Sequence, residues 1–306
     1  MKQMSETIVF FGSGPVAAAS LRLLAGFCTI EAVVTKPRPA HHRGPVPVLE
    51  VAEELSLKVS TAENKKQLDE LFSAKPFASR VAVLIDFGIL VSQQVIDYFP
   101  LGIVNSHFSL LPEWRGADPI TFSILSGQKT TGVSLMLLVE AMDEGPLLGY
   151  GEYALPPGIT TPELTKDLIQ LSYQLLETIL PAYCNGSIIL SDQSVTGRTA
   201  SYSRKLTKED GVIDWHKPAE QIERDIRAYS EWPKSRARLG SIEVIITAVH
   251  TTSTGNAAAP GTAEIVGKEL VIRCGRQALV IDRLTPAGKK EMSGQAFLSG
   301  YKSQIL

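Results

Sequence analysis

The chain has 306 residues, enough for two ordinary domains with a sizeable core. Its composition, 44% hydrophobic, 20% charged and 7% aromatic with no long polar tract, is that of a soluble globular protein and argues against a disordered chain. A net charge of −2 excludes a global positive field as the means of gripping nucleic acid and leaves local basic patches open.

Apolar runs such as residues 81–85 fall far short of the ~20 residues a membrane span needs, and the N-terminus leads straight into a strand, so a cytoplasmic protein with no membrane contact and no signal peptide is expected. Cys28, Cys184 and Cys274 are isolated in sequence and lack CxxC spacing. They point to neither a disulfide framework nor a metal site, and each reads as a buried, inert thiol.

Residues 7–11 form a continuous apolar, β-rich run that stops at Gly12-Ser13-Gly14-Pro15, and residues 16–24 have helical composition with Pro15 suited to a first turn. Similar runs at 30–35, 81–85 and 102–105 alternate with helix-like segments at 48–57 and 64–73. That alternation predicts a doubly wound, mostly parallel α/β sheet. Two further strands are expected at 131–139 and 147–153, followed by a long apolar-periodic helix at 162–184 that closes the first domain. Residues 185–208 then turn Ser-, Thr-, Gly- and Gln-rich and end in a basic cluster, which is linker composition. A helix at 219–229 precedes five short strands at 235–239, 243–249, 261–266, 270–274 and 278–284, a spacing that predicts a smaller β-barrel domain of OB type. The expected division is a first domain at 1–189, a linker at 190–208 and a second domain at 209–306.

The Gly12-Ser13-Gly14 turn invites a dinucleotide-binding reading, but Ala17 stands where a third glycine would be needed and no P-loop Lys follows. A plain strand-to-helix turn is expected there, and neither NAD nor ATP. Asn105 and His107 stand two apart at the end of a buried strand, so the pleat aims both to one side at the carboxyl edge, where open α/β sheets bind ligands. An amide that donates to a developing oxyanion beside an imidazole that moves protons near neutral pH suits acyl transfer without a nucleophilic Ser or Cys. Asp143, in the turn Met142-Asp143-Glu144-Gly145-Pro146, is a candidate third group that orients His107 and accepts a proton from an attacking amine. The same residues also suit strand-end capping and a turn aspartate bonded to its own backbone, and spacing alone leaves both readings open.

Across these positions the chain resembles the methionyl-tRNA formyltransferase family. The shared pattern is Asn-x-His, then Ser-Leu-Leu-Pro-x-x-Arg-Gly-Ala, then Asp-x-Gly, carried here by Asn105, His107, residues 109–112, residues 115–117, Asp143 and Gly145. Similarity continues through residues 202–215, Ile226-Arg227-Ala228, Trp232-Pro233, Pro260-Gly261-Thr262 and residues 286–290, which separates the chain from one-domain glycinamide ribonucleotide formyltransferases. The resemblance implies a Rossmann-like domain that binds 10-formyltetrahydrofolate and an OB-like C-terminal barrel that helps hold initiator methionyl-tRNA. It implies catalytic roles for Asn105, His107 and Asp143, and folate contacts from Ile85, Asp86, Phe87, Gly88, Ile89, Ser109, Leu110, Leu111 and Pro112. On this reading Arg43, Arg204, Lys205, Lys208, Lys289 and Lys290 are tRNA contacts, and a monomer is expected.

The chain departs from the family in three places. The opening reads Gly12-Ser13-Gly14-Pro15 rather than Gly-Thr-Pro; the loop at residues 39–45 looks short and keeps Arg43 without the usual lysines; and Glu113, read as a solvated surface charge, puts a carboxylate in the Leu-Leu-Pro segment. An amino-sugar formyltransferase sharing the folate core, and a catalytically silent tRNA- or folate-binding module, are the rival readings.

Overall fold

A computed structural model describes residues 6–41, 44–253 and 258–305. The first part of the chain folds as β1 (Thr7–Phe11), α1 (Pro15–Leu24), β2 (Thr29–Thr35), α2 (Pro47–Glu54), β3 (Val59–Thr61), α3 (Lys65–Ser73), β4 (Val81–Leu84), α4 (Gln93–Asp97), β5 (Ile103–His107), β6 (Arg115–Gly116) and α5 (Pro119–Ser126). β7 (Thr130–Leu137), β8 (Leu147–Ala154), α6 (Thr161–Cys184), β9 (Tyr202–Ser203) and α7 (Ala219–Ala228) follow. The chain ends with β10 (Ser235–Leu239), β11 (Ile242–Thr252), β12 (Ala263–Val266), β13 (Glu269–Arg273), β14 (Ala278–Pro286), β15 (Met292–Ser293) and α8 (Gly294–Ile305). Two compact units result, one of residues 1–116, 130–154 and 165–203, the other of residues 117–129, 155–164 and 204–306.

The first unit is built on a seven-stranded sheet of order β3-β2-β1-β4-β5-β7-β8. The first five strands are parallel, β7 runs antiparallel to β5, and β8 runs antiparallel to β7. The doubly wound reading rests on the unbroken apolar runs, because a parallel strand covered on both faces has no polar side to show. Residues 8–11 are fully buried. Alternation sends Val9 and Phe11 to one face, where Phe11 meets Phe72, Phe87 and Phe99 at ring-centroid distances of 5.7, 5.3 and 6.0 Å. Full burial of such a side chain stabilises the fold by roughly 1.5–3 kcal/mol. Helix starts follow local chemistry: Pro15 opens α1, Asn64 caps α3 by accepting from Gln67 N at 3.1 Å, and Ser92 caps α4 through Val95 N at 3.3 Å.

The second unit carries a separate core in which Ile222 and Ile226 of α7 and Phe297 of α8 pack with Val244, Ile246, Leu270, Ile272, Leu279 and Ile281. Its antiparallel sheet has the order β10-β11-β14-β13-β12, with β15 added to β14. The five expected strands are β10 to β14. The pairing of β11 with β14 shifts register on either side of Ala248, irregularities that bend and twist a ladder. Among the described residues no ladder joins β10 to β12.

Candidate active site

β5 carries Asn105 and His107 in the centre of the sheet, flanked by β4, where Leu84 pairs Asn105, and by β7, where Ser134 pairs His107. All five β5 residues are buried, and the strand runs through His107, so both polar side chains leave the same face at its carboxyl end. β7 is antiparallel to β5 and ends level with Val104, after which residues 138–146 fold back. Gly145 makes that return possible: a Cβ there would sit 1.7 Å from Leu137 O.

The return delivers Asp143 to the other two groups. Asn105 Nδ2 donates to Asp143 Oδ1 at 3.4 Å, and His107 Nδ1 lies 3.7 Å from the same oxygen, within ion-pair reach once the ring is protonated. Asn105, His107 and Asp143 are 6%, 6% and 8% exposed, so their interactions run with little solvent screening. His107 Nε2 is 2.9 Å from Trp114 O. A carbonyl only accepts, so Nε2 carries the proton and the neutral ring turns its lone pair at Nδ1 toward Asp143.

Asp143 itself is held by its surroundings. Gly116 N donates to Oδ2 at 2.7 Å, and the backbone of Asp143 is left-handed at φ 54°, as Trp114 is at φ 55°. Aspartate tolerates that region better than most residues, and such conformations persist where packing fixes them. The segment at residues 112–116 is laid against residues 201–203: Trp114 N donates to Ser201 Oγ at 3.0 Å, Arg115 N to Ser201 O at 2.9 Å, and β6 pairs β9.

Residues expected at the folate split into two groups. Ile85 and Phe87 are buried in the core, whereas Asp86 and Gly88 are exposed and Ile89 is half-buried. Ser109, Leu110, Leu111 and Pro112 are buried, and the Ser109 hydroxyl is already bonded to Glu113 O, so this segment forms a wall rather than a set of donors. The amides of the Gly12-Ser13-Gly14 turn are committed as well: Ser13 N and Gly14 N donate to Asp86 O at 2.9 and 3.2 Å, which ties the turn after β1 to the loop after β4.

Arg43 lies outside the described residues. Arg204 is bonded to Asp210, whose carboxyl its guanidinium holds far below the usual range. Lys205, Lys208, Lys289 and Lys290 are exposed. Two expectations need correction. Glu113 is not fully solvated; it is half-buried, and desolvation pushes its carboxyl above the ordinary value against the pull of Arg198. Cys184 is only partly buried, although Cys28 and Cys274 are buried as expected. Sequence reasoning passed over Trp114, Gly116 and Gln193; the Arg-Gly pair was visible as pattern, but nothing in the sequence tells that a backbone carbonyl or a Gln in a polar stretch turns inward.

A cavity of about 480 Å³ lies elsewhere, within the second unit, lined in part by Lys129, Arg224 and His250. Among the described residues no group of acidic, His or Cys side chains suits a metal, and no helix is long and apolar enough to cross a membrane.

Comparison with known proteins gives the family. The Formyl transferase pattern matches residues 8–180 and the Formyl transferase C-terminal domain pattern matches residues 205–302. The chain is 35% identical over 302 residues to a methionyl-tRNA formyltransferase of Chloroflexus aggregans, covering 96% of each chain. It is 33% identical over 307 residues to one of Chelativorans sp., covering 98% of this chain and 97% of that one. In fold it is similar to an N-formyltransferase from Helicobacter canadensis solved with folinic acid and dTDP-3-aminofucose (TM-score 0.66, 16% identity, 91% of this chain and 99% of that one). It is similar also to HypX from Aquifex aeolicus solved with tetrahydrofolic acid (TM-score 0.63, 12% identity), where it aligns over 98% of its own length and spans 48% of HypX. With both domain patterns matched in order and identity of this level along nearly its full length, the chain belongs to the methionyl-tRNA formyltransferase family.

Proposed function

We propose that the chain transfers the formyl group of 10-formyltetrahydrofolate to the α-amine of methionine charged on initiator tRNA. It is a formyltransferase, and methionyl-tRNA is what it formylates. The observation that supports the residue roles is the meeting of a carboxamide and an imidazole at one carboxylate oxygen, at 3.4 and 3.7 Å.

When bound, the folate supplies an activated formyl group. Asn105, with one amide hydrogen on Asp143, donates the other to the formyl oxygen as negative charge develops there. His107, protonated at Nδ1, adds positive charge beside that oxygen, and Asp143 stabilises the imidazolium and takes the proton that the attacking amine loses; as the bond from the formyl carbon to the folate nitrogen breaks, the imidazolium gives its Nδ1 proton to that nitrogen and tetrahydrofolate leaves. Burial keeps water from competing with these contacts. The exposed Asp86 and Gly88 with Ile89 fit the folate side, backed by Ile85, Phe87 and the segment Ser109, Leu110, Leu111 and Pro112.

In this reading residues 1–189 handle folate and chemistry, residues 190–208 link, and residues 209–306 contact tRNA. Lys205, Lys208, Lys289 and Lys290, with Arg204, supply salt-dependent phosphate contacts. The protein works in the cytoplasm as a monomer. An amino-sugar acceptor is not favoured, because the relatives that are 35% and 33% identical along nearly the whole chain are methionyl-tRNA formyltransferases.

Transfer of labelled formyl from 10-formyltetrahydrofolate to charged initiator tRNA, with elongator methionyl-tRNA and a dTDP-linked amino sugar alongside, tests the reading. Rapid labelling of the initiator is expected. Labelling of the sugar nucleotide with neither tRNA labelled overturns it.

A further inference from the structure

Gln193 is 4% exposed, although it comes from a polar stretch whose composition gives no hint of a buried role. Its Nε2 donates to Asp143 O at 2.7 Å and to Gly145 O at 2.9 Å. Its Oε1 accepts from Arg115 Nη2 at 2.8 Å and Nε at 3.3 Å, and the same guanidinium reaches Glu144 Oε1 at 2.9 Å through Nη1. One carboxamide thus ties the backbone around Asp143 to the segment of Arg115, whose neighbour Gly116 donates to the Asp143 carboxylate. Two donors face two carbonyls and one acceptor faces a guanidinium, a match that glutamine makes and that glutamate or methionine does not.

The surrounding chain is built to present this side chain. Asp192 caps a short 3-10 turn at residues 193–196 by accepting from Ser194 N at 2.8 Å, and Gly197 ends the turn at φ 67°. On one side Ser191 exchanges backbone bonds with Leu147, at 2.8 and 3.0 Å; on the other, Ser201 and Ser203 are bound to residues 112–116. Asp143 sits at φ 54°, a conformation that needs support from outside its own turn.

We propose that Gln193 is a positioning residue for formyl transfer. It fixes the backbone of the Asp143 turn, and through it the direction of the carboxylate toward Asn105 and His107; this rests on the role proposed for Asp143. A shift of the carboxylate by a fraction of an ångström is enough to cost rate without costing substrate affinity.

The experiment is single-turnover formyl transfer to methionyl-tRNA by the full chain carrying Gln193→Met, Gln193→Glu or Asp143→Asn, and by the double variant Gln193→Met/Asp143→Asn. Gln193→Met is expected to lower the rate ~10–100-fold while KM for folate and for tRNA stays within about 3-fold, as for other groups that orient a reacting one. In the Asp143→Asn background the same change is expected to cost less than about 3-fold, because the group it positions is already lost. Gln193→Glu keeps the shape and regains one donor when protonated, so its rate relative to wild type rises as pH falls, which a purely structural role does not produce. It also serves as the test if Gln193→Met melts near the assay temperature. A Gln193→Met rate within about 3-fold of wild type, or an undiminished loss in the Asp143→Asn background, overturns the proposal. If Asp143→Asn is itself as fast as wild type, the role given to Asp143 fails and Gln193 loses its function with it; if Asp143→Asn is slow and both Gln193 variants are fast, only the positioning role fails.

Discussion

His107 turns Nδ1 toward Asp143 Oδ1 at 3.7 Å while its other ring nitrogen is closed against Trp114 O at 2.9 Å. The carbonyl fixes the proton of the neutral ring on Nε2, so the lone pair at Nδ1 faces a carboxylate. Trp114, held at φ 55° by its bonds to the segment at residues 201–203, is therefore part of what sets the ring's chemistry.

Nitrogen NMR of the imidazole is expected to show a protonated Nε2 and a bare Nδ1 in the neutral form of His107. The opposite tautomer would remove Nδ1 from proton transfer.

Asn105→Ala deletes a donor expected at the developing oxyanion and leaves Asp143 Oδ1 without its 3.4 Å partner. Turnover is expected to fall ~10²–10³-fold. Stability is expected to fall by roughly 1–3 kcal/mol from the unpaired buried group. Parallel rate and urea-unfolding measurements check both. A variant that loses stability but keeps its rate separates Asn105 from the chemistry.

Gly116 has φ 98°, and a Cβ there would meet Ser203 O at 2.6 Å, whereas Gly158, at φ 80°, has nothing within 4 Å of that position. Gly158→Ala is expected to cost only the left-handed backbone term, ~1–2 kcal/mol. Gly116→Ala is expected to cost a further ~1–3 kcal/mol from the clash, and to slow transfer because Gly116 N holds the Asp143 carboxylate. Urea midpoints of the two variants decide the point; equal losses contradict the close approach of residues 116 and 203.

Burial pushes the Cys28 thiol from 9.0 up to about 12, and desolvation raises Cys184 and Cys274 to about 11. All three are protonated at neutral pH, so native protein should react with thiol reagents far more slowly than unfolded protein. The sign of the stability effect follows from the raised folded values: the contribution is complete below about pH 9, where thiols are neutral in both states, and is lost as pH rises from 9 through 11 to 12. Alkylation rates and urea midpoints between pH 7 and pH 11 check this. Fast alkylation of Cys28 at pH 8 in folded protein contradicts it.

Much of the first unit is legible because its strands announce themselves. Val9 and Phe11 on one face and Ile8 and Phe10 on the other are all apolar, as a strand between covered faces demands. β3 is not legible: three residues at a sheet edge, Val59 to Thr61, half-exposed, leave no periodicity. α5 mixes apolar with hydroxyl side chains and buries Thr121 and Ser123 beside Ile124, so it lacks a helical stripe, and α8 opens on Gly294 and holds Gly300, which read as turn residues. In the site, the two-residue spacing of Asn105 and His107 foretells a shared face, but the meeting with Asp143 depends on how residues 138–146 return, which the sequence pattern alone does not determine. Gln193 is hidden for a related reason. Its partners are the backbone carbonyls of residues 143 and 145, and a carbonyl exists at every position, so no residue type marks the contact.

Formyl transfer as proposed requires the carboxylate of Asp143 and the imidazole of His107 to act in the reaction rather than merely to shape the fold. Single-turnover formyl transfer by His107→Ala and Asp143→Ala, with folate and tRNA affinities measured on the same preparations, tests it most directly. Rates ~10²–10³-fold below wild type with modestly changed affinities are expected. Rates within a factor of a few of wild type would take both residues out of the reaction.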